Sequence, residues 1–191
     1  HEGDDEPDVT ARRYLGALGG LAHGVQVGDV VVAQDFLQHD LNASPLFPRY
    51  EVPLYGRARF DCDPALTALL ADAARSALMP GATTGLLLPA GAQVHHGLIA
   101  SGDQFIASAA GSASLQSALR GAGHEVLAVE MEGAAVAQVC ADYGVPFAAM
   151  RTISDRADDT AHIDFPRFVT EVASRYAQAI VNELLRSLPA R

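Results

Sequence analysis

Lysine and tryptophan are absent from this 191-residue sequence, and cysteine occurs only twice. Without lysine there is neither a Schiff-base amine nor a P-loop lysine, which removes two large groups of enzymes. All thirteen basic residues are arginines, set against 23 acidic ones. The resulting net charge of −10 and pI near 5.0 speak against a nucleic-acid partner, because holding a phosphate backbone takes clustered cations. Cys62 and Cys140 are far apart in sequence and form no Cys-x-x-Cys pair, so no disulfide framework or zinc site is expected. His39, His95, His96, His124 and His162 lack the paired helical spacing and carboxylate partner of zinc enzymes, so no metal is expected. No apolar run approaches the length that spans a bilayer. The opening HEGDDEPD is acidic where a signal peptide would be basic and then apolar, so the expectation is a cytoplasmic protein with no membrane partner.

What is present suits one globular domain: 49% of the residues are hydrophobic and 19% charged, enough to bury a substantial core. Residues 1–14 read as a loosely held leader and 15–191 as a single domain. The first residue is His rather than Met, and the chain is expected to start partway through a larger protein. GALGGLAHG reads as a glycine-rich turn leading to a buried strand at Val30–Ala33. Residues 38–60, with three prolines, read as a long loop.

Asp63-Pro64 predicts a helix start, and Leu66, Leu69, Leu70, Ala73 and Leu78 follow at helical spacing. Strands are predicted at 85–88, 97–100, 126–129 and 146–150. A helix is predicted from Glu132 to Tyr143, with Ala135, Val136, Val139 and Cys140 inward. A last helix starts near 164–166, its stripe running from Phe168 to Leu185. This alternation predicts an α/β fold, a three-layer sandwich whose central, mostly parallel (mixed) sheet is flanked by helices.

In such sheets ligands bind beyond the carboxyl ends of strands, which draws attention to three polar segments after apolar runs: 101–106, 130–132 and 151–158. These segments carry a resemblance. GLIASGDQFI (97–106), VEMEGAAVAQVCADYGVPF (129–147) and RTISDRAD (151–158), with GDVVVAQDFLQHD (28–40), are similar in order and spacing to signature stretches of the 5′-methylthioadenosine/S-adenosylhomocysteine nucleosidases. The match runs from about Gly16 to the carboxy terminus. It implies a nucleoside phosphorylase/hydrolase-like fold and hydrolysis of the N-glycosidic bond of such purine nucleosides, with no cofactor and with a homodimer as the assembly.

The resemblance also implies roles. Asp155 would protonate N7 of the purine, chemistry suited to a carboxyl partly withdrawn from water; its plainer reading is a turn cap, and the flanking match decides for catalysis. Asp158 reads as a structural helper for that turn. Glu132 would hold the two ribose hydroxyls as an acceptor-only group, a role compatible with a first-turn glutamate favoured by the helix dipole. Met131 would lie under the ribose, or simply pack.

Glu130 and Arg151 have two readings each: as an ion pair with one another, or as substrate-site groups, with Arg151 placing the attacking water. Phe105 would stack on the base while backbone groups of Ile106 read the purine edge. Phe165 would close over the base or staple its helix. Ser154 and Gly19 belong to the same implied substrate site, and Leu46 and Phe47 to a 5′-substituent pocket reached across the dimer.

Two departures stand out. Nothing before Gly16 resembles the family's opening βα segment, whose glutamate acts on the nucleophilic water. Ala17 and Leu18 replace a serine and a small residue. Loss of that base, with general acid–base assistance worth about 10²–10⁴-fold, implies weakened catalysis. The alternatives are therefore a purine nucleoside phosphorylase of the same fold, for which no arginine cluster presents itself, and a catalytically impaired remnant that only binds purine nucleosides.

Overall fold

A computed structural model describes residues 17–22, 24–79, 91–155 and 174–187, with Ala17–Gly19 and Asp155 described by their backbone. The leader, the strand predicted at 85–88, Asp158, Phe165 and the start of the last helix lie outside these residues. Among the described residues the order is β1 (Ala17–Gly20), β2 (Val30–Gln38), β3 (Arg59–Asp61), α1 (Pro64–Leu78), β4 (Val94–Ser101), α2 (Ala109–Gly121), β5 (Val126–Glu130), α3 (Gly133–Asp142), β6 (Met150–Asp155) and α4 (Ser174–Ser187).

The strands form a mixed sheet in the order β3-β2-β4-β5-β1-β6. Pairs β2–β4, β4–β5 and β1–β6 are parallel, whereas β2–β3, β1–β5 and β2–β6 are antiparallel. The β2–β6 pairing makes the sheet close on itself, so among the described strands only β3 lies outside the ring.

β2 organises the core because its alternation is broken once. Its register with β4 shifts between Ala33 and Asp35, a bulge that leaves Gln34 exposed and swaps the faces beyond it. Val31, Ala33 and Phe36 consequently share one cluster, with Ile99, Ala128, Ala134 and Ile153. Val30 and Val32 meet α1 and α4 through Leu70, Ala74, Tyr176 and Ile180. Leu37 joins Tyr50, Leu98, Leu119 and Val126. Each large side chain fully buried here contributes about 1.5–3 kcal/mol.

The predicted start of α1 is present: Asp63 caps it by accepting from Leu66 N at 2.8 Å, with Pro64 at the first helical position, where its missing N–H costs nothing. Four expectations change. The glycine-rich turn contains strand β1, because its short side chains let it lie between β5 and β6. α2, made largely of small and polar residues, has no apolar stripe in its sequence to announce it; Ser108 caps it through Gly111 N. The strand expected at 146–150 begins instead at Met150. Residues 147–149 make single bonds, Asp63 N to Phe147 O and Ala33 N to Ala149 O, after a proline that can donate none.

The inner face of α3 is also rotated from the expected one. Gly133, Ala134 and Ala137 are buried, while Ala135 is exposed, Val139 is 55% exposed, and Val136 and Cys140 are partly covered. Gly133 sets this phase. A Cβ built on it would fall 2.2 Å from Phe36 Cε1, so only glycine lets the first turn press onto that ring. Gly133→Ala is expected to cost about 1–3 kcal/mol through overpacking, read as a lower urea midpoint at unchanged slope. An unchanged midpoint would show that Phe36 moves aside freely.

Candidate active site

The three polar segments converge. Ser101 pairs with Glu130 across β4–β5, and Gly19 lies between Val129 on β5 and Asp155 on β6. The sheet thus brings the 101–106 loop, the 130–132 turn and the end of β6 to neighbouring positions. They do not share one strand polarity, because β1 and β6 run opposite to β5. Arg151, expected after a strand, is instead the second residue of β6.

Arg151 and Glu130 are an ion pair, with Nη2 2.8 Å from Oε2 and both side chains 1% exposed. The Glu130 carboxylate is fully occupied. Gly133 N donates to both oxygens at 2.8 and 2.9 Å, and Ser101 Oγ donates to Oε1. Ser101 in turn accepts from Ala134 N at 2.7 Å. Two amides of the first turn of α3, which no intrahelical carbonyl can reach, therefore end on Glu130 and Ser101. Burying these charges is tolerable because each is paired and hydrogen-bonded. Of the two readings of Glu130 and Arg151, the geometry supports the ion pair, and neither oxygen of Glu130 is left for a sugar hydroxyl.

Glu132 is different. It occupies the N-cap position of α3 but makes no side-chain capping bond, and its side chain is exposed. Partial burial first, and the Glu130 charge second, hold its carboxyl above the usual carboxylate range, with Arg151 pulling the other way. Beside it Met131 is 43% exposed, and Phe105 is 50% exposed on the 101–106 loop. Both side chains thus present apolar surface to solvent.

Ile106 is partly buried against the Leu37–Leu98 cluster. Ser154 is fully buried within β6. Leu46 is 84% exposed and Phe47 partly so, both in the 38–58 loop. Ser101, to which the sequence alone assigns no role, ties the site together; a polar residue closing an apolar strand beside a buried glutamate is the available signal.

The profile of the Phosphorylase superfamily matches residues 14–186. A 5′-methylthioadenosine/S-adenosylhomocysteine nucleosidase of Actinobacillus succinogenes is 33% identical over 180 residues, 94% of this chain and 70% of that protein. Among solved structures, the nucleosidase of that name from Neisseria meningitidis, in complex with methylthio-immucillin-A, has a TM-score of 0.75 at 37% identity over 91% of this chain and 68% of its own. An S-adenosylhomocysteine nucleosidase from Streptococcus pyogenes, in complex with 5-methylthiotubericidin, gives 0.74 at 34% identity over 92% and 66%. With the profile spanning nearly the whole sequence and a relative at this identity covered over more than two-thirds of its length, this chain belongs to the 5′-methylthioadenosine/S-adenosylhomocysteine nucleosidases of the Phosphorylase superfamily.

Proposed function

We propose that this site hydrolyses the N-glycosidic bond of 5′-methylthioadenosine and S-adenosylhomocysteine-type nucleosides. Water adds at C1′ of the ribose and gives up a proton to solvent, the C1′–N9 bond breaks, and adenine leaves with a proton delivered to N7 from the Asp155 carboxyl. The observation that carries the reading is the division of labour in Glu130-Met131-Glu132: the first carboxylate is wholly used by the protein, and the second stands open at a helix N-terminus.

In this reading Glu132 accepts from the ribose hydroxyls, hydrogen bonds that tighten as the ring becomes oxocarbenium-like. Met131 lies under the sugar and Phe105 stacks on the base beside Ile106, with Phe165 closing over it. Gly19 allows close approach of the backbone, and Ser154 supports the strand that ends in the proton donor Asp155. Arg151 acts on this site by orienting Glu130.

Glu132→Gln is expected to weaken nucleoside binding by about 10- to 100-fold, the worth of a hydrogen-bonded charge, while free adenine binds within about twofold of wild type. Calorimetry with both ligands checks this; equal loss for both would remove Glu132 from the ribose. Because the ionised form does the accepting and burial raises its pKa, nucleoside affinity should fall as pH drops, starting above the range of an ordinary carboxylate. Product analysis with and without phosphate tests the reaction. Free 5-substituted ribose in both cases supports hydrolysis, and a phosphate-dependent ribose 1-phosphate would make the protein a phosphorylase.

The same reading carries a homodimer and a cytoplasmic setting. Tyr55 OH donates to Asp142 at 2.8 Å, laying the 38–58 loop against the end of α3. Leu54, Tyr143 and Val145 stand exposed in these two segments, as does Leu46 of the proposed 5′-substituent pocket. Apolar groups gathered this way suit a second copy. Free Cys62 and Cys140 suit a reducing compartment.

A further inference from the structure

We propose that His39 and Asp40, the two residues that follow β2, are positioning residues for the loop that presents Phe105, and that they set the affinity for the purine base. This rests on the nucleosidase reading of the site and adds to it a pair of residues that act through the loop.

Three consecutive residues of the loop are pinned from this side. Ser101 O accepts from His39 N at 2.8 Å. Gly102 lies against the His39 ring so closely that a Cβ on it would fall 2.3 Å from Nε2 and 2.4 Å from Cε1. Asp103 N donates to Asp40 Oδ2 at 2.7 Å. From the other side Gly102 N donates to Glu130 O at 3.0 Å, and Ser101 Oγ reaches the Glu130 carboxylate. The peptide 101–103 is thus clamped between the end of β2 and the end of β5, two residues before an exposed aromatic ring.

His39 suits the clamp. It is 3% exposed, and its Nε2 has no hydrogen-bond partner among the described residues. Burial holds its pKa below the usual histidine range, against the pull of Asp40, Glu130 and Asp103. Burial thus favours the uncharged ring, which serves as a flat wedge. Only glycine at 102 admits it. Asp40, by contrast, is exposed, so its bond to the loop can be cut at the surface without opening the core.

A stacked base gains from a ring held in place before it arrives, because ordering a loop on binding subtracts from affinity. Removing the Asp40 acceptor releases Asp103 and lets the stem of the loop move. Asp40→Ala is expected to weaken free adenine and methylthioadenosine alike by about five- to tenfold, the net worth of one solvent-exposed hydrogen bond. Asp40→Asn keeps an acceptor oxygen and should restore most of it. The same loss for both ligands distinguishes this effect from Glu132→Gln, which spares adenine.

The test pairs calorimetry with hydrogen exchange of the 101–106 segment in the unliganded protein. Expected are faster exchange there in Asp40→Ala, wild-type exchange in Asp40→Asn, an unchanged melting temperature in both, and adenine affinities that follow the same order. The proposal is overturned if Asp40→Ala leaves either the exchange or the adenine affinity unchanged, or if asparagine fails to rescue. A wild-type protein that binds no adenine at all would instead overturn the purine-site reading, with the exchange data still reporting on the clamp.

Discussion

Asp155→Asn is expected to reduce release of adenine from methylthioadenosine by about 10²–10⁴-fold, the usual worth of a positioned proton donor, with a melting temperature close to that of wild type. Adenine is a poor leaving group as an anion and a good one once N7 carries a proton, so the reaction needs an acid at the base. Asparagine keeps the size and one acceptor of the side chain but has no proton to transfer. The backbone of Asp155 lies beside Gly19, which in turn pairs with Val129, on the strand that leads to Glu132. Neither of the other carboxylates proposed for the site suits this role, since Glu130 is saturated by Gly133, Ser101 and Arg151, and Glu132 serves the sugar. Near-normal turnover by the asparagine variant would mean that another group protonates the purine.

The second large effect is on stability. Arg151→Met should destabilise the fold by about 3–5 kcal/mol, because it strands the Glu130 carboxylate in a site that is 1% exposed. The loss would spread to function, since Glu130 anchors the first turn of α3 and the preceding peptide that ends in Glu132. Urea unfolding measures the first consequence and nucleoside affinity the second. A cost below about 1 kcal/mol would show that Glu130 finds water or a proton when its partner is removed, and that the pair is dispensable to the frame.

Legibility from sequence followed the kind of signal each element carries. α1 is readable because a capping aspartate, a proline and a leucine stripe agree locally; the cap and the proline are in place, and of the leucines Leu70 is buried within a face made mostly of alanines. The 101–106 and 130–132 segments are readable because they sit where β4 and β5 end, whereas 151–155 lies within β6. α3 reads with its buried face turned: valines and a cysteine outweigh glycine and alanine in hydrophobicity, yet the tight approach of Gly133 to Phe36 decides which side faces in. β1 looks like a turn because glycine propensity describes an isolated chain, whereas two neighbouring strands supply the pairing that makes it extended.

Burial of Arg151 is the least visible feature. A guanidinium reads as solvent-facing until its partner is known, and the partner lies on a strand whose relation to β6 depends on β1 running between them. The ion-pair alternative can be named from sequence; choosing it requires the register. The same holds for His39 and Asp40, whose contacts to 101–103 exist only because β2 and β4 run side by side in register to their ends.

Closure of the sheet has a consequence for how the molecule is made. β2 is synthesised well before β6, one of its three described partners, whose Thr152 meets Val30 and whose Met150 meets Val32. The ring therefore stays open on the ribosome until β6 has emerged, and Val31, Ala33 and Phe36 wait for Ile153 to complete their side of the core. Pairings so distant in sequence make folding slow and leave apolar strand edges uncovered meanwhile. The yield of native protein should therefore be limited less by its final stability than by the interval before β6 arrives.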